Sequence, residues 1–506
     1  MLDEAQVRRE KLQKLIELGI NPYPADSARD TSCADALERF GDLMKRAETI
    51  TLAGRVLTIR VHGGMMFADL SDGGEKIQIA FKEDHLDANT FKLFRDLIDP
   101  GDIVEATGKL FLTKKRDEKT LEVASWRILA KALLPLPEKW HGLQDVEARY
   151  RQRELDLICN PEVKQRFIVR SKLISSLRHF LDERGFLEVE TPIWQAVPGG
   201  ANSRPFITHH NALDTDLYLR IAPELYLKRL MVGGFEKIYE IARCFRNEGI
   251  DHAHNPEFTQ IELYWAYAGK ERFIAFLEEM LRTILMASVG TLTIEYGENG
   301  DRRVHDFSRD FEKKTFKRAV FDNCRIDVDL MKTPDDVLEA CERGGLDLKR
   351  FGIDFSRCVG VGEYLDELYK KTARSMMIGR PVWITDYPVA MIPLAGRSPD
   401  DPTKSATAQL VVNGVEIIKA FYHELNDPLD QRQRLEEQQA LIEKGSEEAQ
   451  HLDESFLRAL EHGMPPASGL GMGIDRLISL ITGTNNLKEV ILFPTLKPKA
   501  PEASDV

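Results

Sequence analysis

Apolar residues recur along this chain at two different spacings. In residues 1–19, Leu12, Leu15 and Ile16 stand at i, i+3 and i+4, one face of a helix, and Gly19 supplies a stop. Arg8, Arg9, Lys11 and Lys14 cluster on the same stretch, either as a solvated helix face or as a contact to a polyanion. Between 50 and 134 the pattern changes. ITLAGRVLTIRV, MMFADLSD, EKIQIAF, DIVEATGKLFL and LEVASWRIL are short β-rich runs, punctuated by Asp72-Gly73-Gly74 and Pro100-Gly101-Asp102. FKLFRDLI, between the third and fourth runs, reads as a helix. Five strands with a helix after the third predict an OB-type Greek-key barrel. Such barrels bind single-stranded nucleic acid by stacking bases on aromatics over a cationic groove. Phe67 and Gln78 are of the types that stack on and hydrogen-bond to a base, and read equally as barrel filling and a surface polar residue.

LLPLPEKWHG, residues 133–142, is broken by proline and reads as a connection between domains. A long helix is predicted at about 161–184. After it come strand-like runs: FLEVETP, LYLRIA, KIYEIARCF, IELYWAY, VWITDYP, QLVVNGVEII and VILFP. Most are separated by too little chain for parallel crossovers, so the expected class is α+β on a mostly antiparallel sheet. The predicted division is a helical extension at 1–49, the barrel at 50–134, a linker at 135–160 and a second domain at 161–497. Within the second domain, an α-rich insertion is expected at about 301–380. The tail 498–506 is expected to be disordered.

Composition narrows the reading. The 82 acidic against 69 basic residues leave a formal charge of −13, which excludes a polycation that coats nucleic acid but permits a local basic surface. Hydrophobic and charged fractions of 43% and 30% exclude wholesale disorder. No run approaches the ~18 apolar residues of a spanning helix, and the first residues lack the apolar core of a signal peptide. A cytoplasmic protein without membrane contact is expected. Six cysteines, at 33, 159, 244, 324, 341 and 358, form no CxxC and no metal spacing with His, so reduced structural thiols are expected.

Three stretches carry candidate chemistry. GFLEVETPIW, 185–194, joins a helix to a strand ending at Pro192; alone it is a routine junction. FRNEGIDHAHNPEFTQIELYWAY, 245–267, is a strand–loop–strand hairpin crowding Arg246, Glu248, His254, Asn255 and Glu257, with Phe258 and Glu262 following. Packing does not account for so many charges, because each buried charge costs several kcal/mol unless paired. An Arg that grips phosphate and an aromatic that faces a base fit a nucleotide. ASGLGMGIDRLISLI, 467–481, offers Gly469, Gly471 and Gly473 before a helix starting near Ile474, with Arg476 in its first turn. Those glycines permit close backbone approach, and Arg476 suits a cation–π contact with a base.

In this order, the three stretches closely resemble the signature motifs of class II aminoacyl-tRNA synthetases. RYRQRELDLICNPEV (149–163), PGGANSRPFITHHNALDTDLYLRIAPELYLKRLMVGGFEKIYEI (198–241) and HELNDPLDQR (423–432) extend the likeness to the lysine-specific branch, over roughly residues 1–497. The resemblance implies ligation of lysine to tRNA through an adenylate, using ATP and Mg²⁺, in a homodimer with Pro192 and its strand at the interface. It implies Arg246 and Arg476 as catalytic, and Glu248, His254, Asn255 and Phe258 as further ATP contacts. For lysine it implies Gly200 and Glu224 at the α-amino end and Glu262, Tyr264 and Glu424 at the side chain. It places the metal at Glu416, with Gln409 as a weaker ligand, and the anticodon at Phe67, Gln78, Glu118 and Arg60. Two rivals are a paralogue activating another amino acid or a lysine analogue, and a binding protein that forms no adenylate.

The chemistry agrees on general grounds. A buried ammonium demands carboxylate partners, and a pocket built for one rejects neutral side chains by leaving its own carboxylates unpaired. The chain also departs from the family between 405 and 424. Gln409 stands where a second metal-binding Glu is usual, Lys419 or Ala420 where an Asn is usual, and Ile392 and Gly396 where Ser and Lys are usual. One extra residue precedes Glu424, which turns side chains over unless a bulge absorbs it. A Lys419 side chain entering the pocket would mimic or exclude the substrate ammonium. In the first barrel strand, the expected basic residue is Arg60 or, if Ile59 holds that position, absent.

Overall fold

The structure is a computed structural model describing residues 3–114, 116–137, 143, 145–296, 303–447 and 449–498. The expected disordered tail lies outside these residues apart from 498, as do 138–142 of the expected connection. Two compact units divide at Lys164/Gln165.

In the first unit, β1 (Thr49–His62), β2 (Met65–Ser71), β3 (Lys76–Lys82), β4 (Ile103–Leu112) and β5 (Lys119–Ala130) close into a barrel of order β1-β2-β3-β5-β4. The helix Ala88–Leu97 follows the third strand, its Phe91, Phe94 and Leu97 buried against the barrel core, and Asp87 caps its start. The helix Glu4–Glu17 is fastened by its own basic residues. Arg8, buried, donates to the Pro100 carbonyl at 3.0 Å, and Lys11 pairs with Asp99 at 2.5 Å. These two cations are therefore internal staples rather than polyanion contacts. Val146–Arg151 and Arg153–Cys159 are short helices.

The helix Pro161–Asp182 carries the chain into the second unit. Its strands are β6 (Leu187–Glu188), β7 (Trp194–Gln195), β8 (Ile207–His210), β9 (Thr215–Leu219), β10 (Lys237–Phe245), β11 (Glu257–Ala266), β12 (Thr293–Tyr296), β13 (Arg303–Asp306), β14 (Glu312–Thr315), β15 (Val382–Thr385), β16 (Thr407–Val412), β17 (Val415–Phe421) and β18 (Ala467–Gly473). Eight of them form one sheet in the order β14-β15-β16-β17-β18-β11-β10-β6, antiparallel except at β14/β15 and β10/β6. Helices Phe316–Cys324, Pro334–Arg343, Leu348–Phe351 and Val361–Thr372 lie between β14 and β15.

Alternation gives the sheet two faces. Ile261, Leu263 and Trp265 of β11, Leu470 and Met472 of β18, and Ile418 and Ala420 of β17 enter one core with the helix Lys270–Val289. That helix buries Phe273, Leu277, Met280, Leu281 and Ile284, a helical stripe. The opposite face carries Phe258, Gln260, Glu262 and Tyr264. VILFP is not a strand. The Val490 carbonyl accepts from Arg170 at 3.3 Å instead of a sheet neighbour, and Phe493 is exposed.

Candidate active site

Register places the polar face in rows. Gln409, Lys419, Gly471, Glu262 and Glu240 are consecutive partners across β16, β17, β18, β11 and β10. One step along, Phe421, Gly469 and Tyr264 form the next row. The glycines of β18 thus make an open floor between β17 and β11. At Gly469 the floor is obligatory, because a Cβ there would overlap Glu424 Oε1 and stand 2.7 Å from Tyr264 Cε1.

Carboxylates gather at one end of this floor. Glu224, Glu262 and Glu424 are all buried, Glu424 completely. Gln260 Nε2 donates to Glu262 Oε1 at 2.8 Å. Lys228, one helical turn beyond Glu224, contacts Glu224 Oε1 at 2.7 Å and Glu424 Oε2 at 2.8 Å, and donates to the Leu394 carbonyl at 3.1 Å. Glu424 Oε1, buried, receives no hydrogen bond and points over Gly469. Gly200 has φ +89°, and a Cβ there would be 2.9 Å from that of Glu224, so glycine is needed for both conformation and space. Its N–H donates to Gln450 Oε1 at 3.1 Å.

This crowding raises proton affinities. Burial, then Glu224, Glu240 and Glu424, pushes the Glu262 carboxyl well above its ordinary range. Burial pushes Glu424 up to about 8, against the pull of Lys228. Burial opposes the charge on Lys228, but Glu224 and Glu424 prevail and hold it protonated.

Cations gather at the other end. The Arg246 guanidinium lies 4.9 Å from the Phe258 ring centroid, and its Nε is buried without a hydrogen-bond partner. Arg476 folds back over Gly473 and donates to the Glu416 carbonyl at 3.4 Å. Burial, with Arg246 and Arg374 nearby, lowers its proton affinity; Glu416 and Glu248 act in the opposite sense. Glu248 accepts from Ser203 Oγ at 2.5 Å. Asn255 donates to the Glu257 carbonyl at 2.6 Å, leaving its buried Oδ1 unpartnered. His254 is half-exposed and turned to Asp251 at 3.0 Å.

Segment 405–424 resolves into two irregularities. A bulge at Ile417 separates the pairs Val411/Glu416 and Leu410/Ile418. A second register step follows β17: Phe421 pairs with Gly469, yet the Glu424 N–H donates to the Ala467 carbonyl at 2.8 Å. Between them, Tyr422 and His423 span Ser468 alone, a one-residue step that leaves Glu424 in the pocket. His423 lies against Gly396, where a Cβ would overlap its ring, and its carbonyl accepts the Gly396 N–H at 2.8 Å. Lys419, not Ala420, stands on the site face. Gln409 is buried and its Oε1 accepts from Tyr387 OH at 2.7 Å. Among the described residues no group of three His, Cys, Asp or Glu could hold a metal. Sequence reasoning missed Lys228, Arg374 and Gln450. Only Lys228 carries a signal, four residues after Glu224 on a helix.

In the first unit, Arg60 pairs with Phe67 in register, and Thr58, Asp69, Gln78 and Thr120 share their outer face. Arg60 pairs with Asp69 at 3.1 Å, and Thr120 Oγ1 donates to Gln78 Oε1 at 3.0 Å. Ile59 faces the core. Glu118 is exposed just before β5, its backbone bonded to Thr113.

Residues 145–497 match the family model described as tRNA synthetases class II (D, K and N), and residues 50–129 match that of the OB-fold nucleic acid binding domain. A protein of Moorella thermoacetica named lysine–tRNA ligase is 47% identical over 497 residues, covering 98% of each chain. Proteins of the same name from Syntrophomonas wolfei and Yersinia enterocolitica are 44% and 43% identical, over 98% of this chain and 98% and 96% of theirs.

Proposed function

The chain belongs to the class II tRNA synthetases, among the lysine–tRNA ligases, and from that premise we propose that it joins L-lysine to its tRNA with ATP, through a lysyl-adenylate. The observation that carries the amino acid is a charge imbalance. Three buried carboxylates, Glu224, Glu262 and Glu424, share one internal cation, Lys228, while Glu240 is separately paired with Arg220 at 2.5 Å. Lys419 acts on Glu424 without an ion pair to it, so two of the three carboxylate charges have no ion-pair partner, and lysine brings two ammonium groups. Glu224, beside Gly200, takes the α-ammonium; Glu262, Glu424 and Tyr264 take the one on the side chain. An amino acid with a neutral side chain leaves a buried carboxylate unpaired.

The lysine carboxylate then attacks the α-phosphorus and pyrophosphate leaves. The attacking group is ionised at neutral pH, so no general base is required. The protein's part is alignment, and neutralisation of phosphate charge by Arg246 and Arg476. Phe258 and Arg476 face the adenine, Glu248 its edge, and His254 and Asn255 the phosphates. A terminal ribose hydroxyl of tRNA attacks the adenylate next, releasing AMP. Among the described residues called as metal ligands, Glu416 is the carboxylate the site offers, since the Gln409 oxygen is committed to Tyr387. That set fits a magnesium ion carried mainly by phosphates and water, which supplies charge neutralisation when bound.

Phe67, Gln78, Arg60 and Glu118 read the anticodon from the outer face of the barrel. Leu187, Ile193, Trp194, Ile207 and Leu213, large apolar residues exposed on and beside β6–β9, support a homodimer that covers them, with Pro192 at the interface. No helix among the described residues is long and apolar enough to cross a membrane, and we assign the protein to the cytoplasm. Pyrophosphate exchange across a panel of amino acids tests the assignment. Exchange with lysine supports it. Exchange with another amino acid alone, or tRNA binding without any exchange, refutes it.

A further inference from the structure

Buried arginines in this protein are otherwise neutralised in place. Arg153, Arg220 and Arg434 each hold a carboxylate at 2.5–2.7 Å. Four half-buried cations around the floor have no such partner. None of the ion pairs among the described residues involves Arg246, Arg374, Arg476 or Lys419. Two of the four, Arg374 and Lys419, have no role in the reading above.

Arg374 opens a short 3₁₀ turn, Arg374–Met376, which packs on the tight β16–β17 hairpin. The Gly414 N–H donates to the Met377 carbonyl at 2.9 Å, and a Cβ on Gly414 would stand 3.4 Å from the Arg374 carbonyl. Two residues after Gly414 comes Glu416, whose carbonyl receives Arg476. Arg374 is therefore tied to the same hairpin as the carboxylate nearest Arg476. Its Nε is buried without a hydrogen-bond partner. Lys419 is half-buried on the site face, across Gly471 from Glu262, its Nζ 5.4 Å from the Phe421 ring centroid. Like charges gathered in a partly desolvated site repel unless an anion joins them. A bound polyanion satisfies the three arginines at once, guanidinium forks being suited to phosphate oxygens, and Lys419, which also acts on Glu424, carries the positive surface on toward the carboxylate end.

We propose that Arg374 and Lys419 are further binding residues for the nucleotide phosphates, so that with Arg246 and Arg476 the chain itself supplies much of the charge neutralisation that a site with Glu416 as the carboxylate among its expected metal ligands recruits little metal to provide. This rests on the proposed ATP-dependent function and deepens it. Gln409 completes the arrangement: a neutral amide bonded to Tyr387 stands beside Lys419 in register, where a carboxylate would pair with the lysine and cancel it.

Calorimetric titration of the full-length protein with a non-hydrolysable ATP analogue, in EDTA and in Mg²⁺, tests this. The wild-type protein should bind the analogue in EDTA. R374A and K419A should each weaken that binding roughly 10- to 100-fold, as loss of a charge-assisted hydrogen bond does, and by less in Mg²⁺. R374K should recover part of the loss, and thermal melts of every variant should match wild type, which separates lost charge from lost folding. The Q409E variant should bind the analogue more weakly in EDTA and respond more strongly to Mg²⁺. Unchanged EDTA affinity in R374A and K419A overturns the proposal, as does wild-type protein that binds only with Mg²⁺. Failure of lysine exchange with these affinities intact would instead sink the functional assignment.

Discussion

Lysine binding should release a proton. In the free protein burial pushes Glu424 up to about 8, and Glu262 is also pushed up by burial and its neighbours. Both must be ionised to pair with an ammonium. The sign follows: below the free-state value the pocket holds a proton that the substrate displaces, so affinity rises with pH and levels off once the site is already ionised. The two carboxyls interact, so the step belongs to the pair rather than to either residue. With a free value of about 8, ionising one carboxyl at pH 7 costs about 1.4 kcal/mol, roughly a tenfold loss of affinity against the plateau. Between pH 6 and 8, log Kd should fall by about one unit per pH unit, steeper if Glu262 is also protonated. Calorimetry in buffers of different ionisation enthalpy counts the protons directly, and at least about one should leave per lysine at pH 7. A flat Kd with no proton release would refute the reasoning, since it would mean that the carboxyls are already ionised in the empty pocket.

Other substitutions separate the elements of the site. K228M removes the internal cation between Glu224 and Glu424 and should lower unfolding free energy by about 3–5 kcal/mol in urea melts, the usual consequence of stranding a buried charge. The G469A substitution drives a methyl into Glu424 and Tyr264; lysine KM in pyrophosphate exchange should rise at least about tenfold while affinity for ATP is unchanged. Removing the barrel aromatic with F67A should raise tRNA KM about tenfold or more, as loss of a stacking contact does, without altering pyrophosphate exchange. The I207E variant, which puts a charge on an exposed apolar strand, should give a monomer by light scattering; an undisturbed dimer would move the interface elsewhere.

The strand content of the barrel and of the polar-faced sheet was legible because alternation is local. In Gln260-Ile261-Glu262-Leu263-Tyr264-Trp265, polar and apolar positions take turns, and they sort to the two faces of β11 as written. What escaped depends on distant partners. Arg8 and Lys11 have the look of a basic surface until Pro100 and Asp99 arrive from about 90 residues away in sequence. VILFP has strand composition, but a side chain of the helix Pro161–Asp182 claims its carbonyl. The choice between Lys419 and Ala420 turned on a bulge at Ile417 that no periodicity reveals, and Arg374 carries no motif at all.

The fit of His423 against Gly396 has an evolutionary consequence. Even a methyl at 396 overlaps the imidazole and crowds the His423 carbonyl. No side chain can therefore appear at 396 while the ring stays where it is, and in descent the two positions can change only together. The pair acts as a ratchet: once the imidazole occupies that space, a return to a larger residue at 396 alone is blocked.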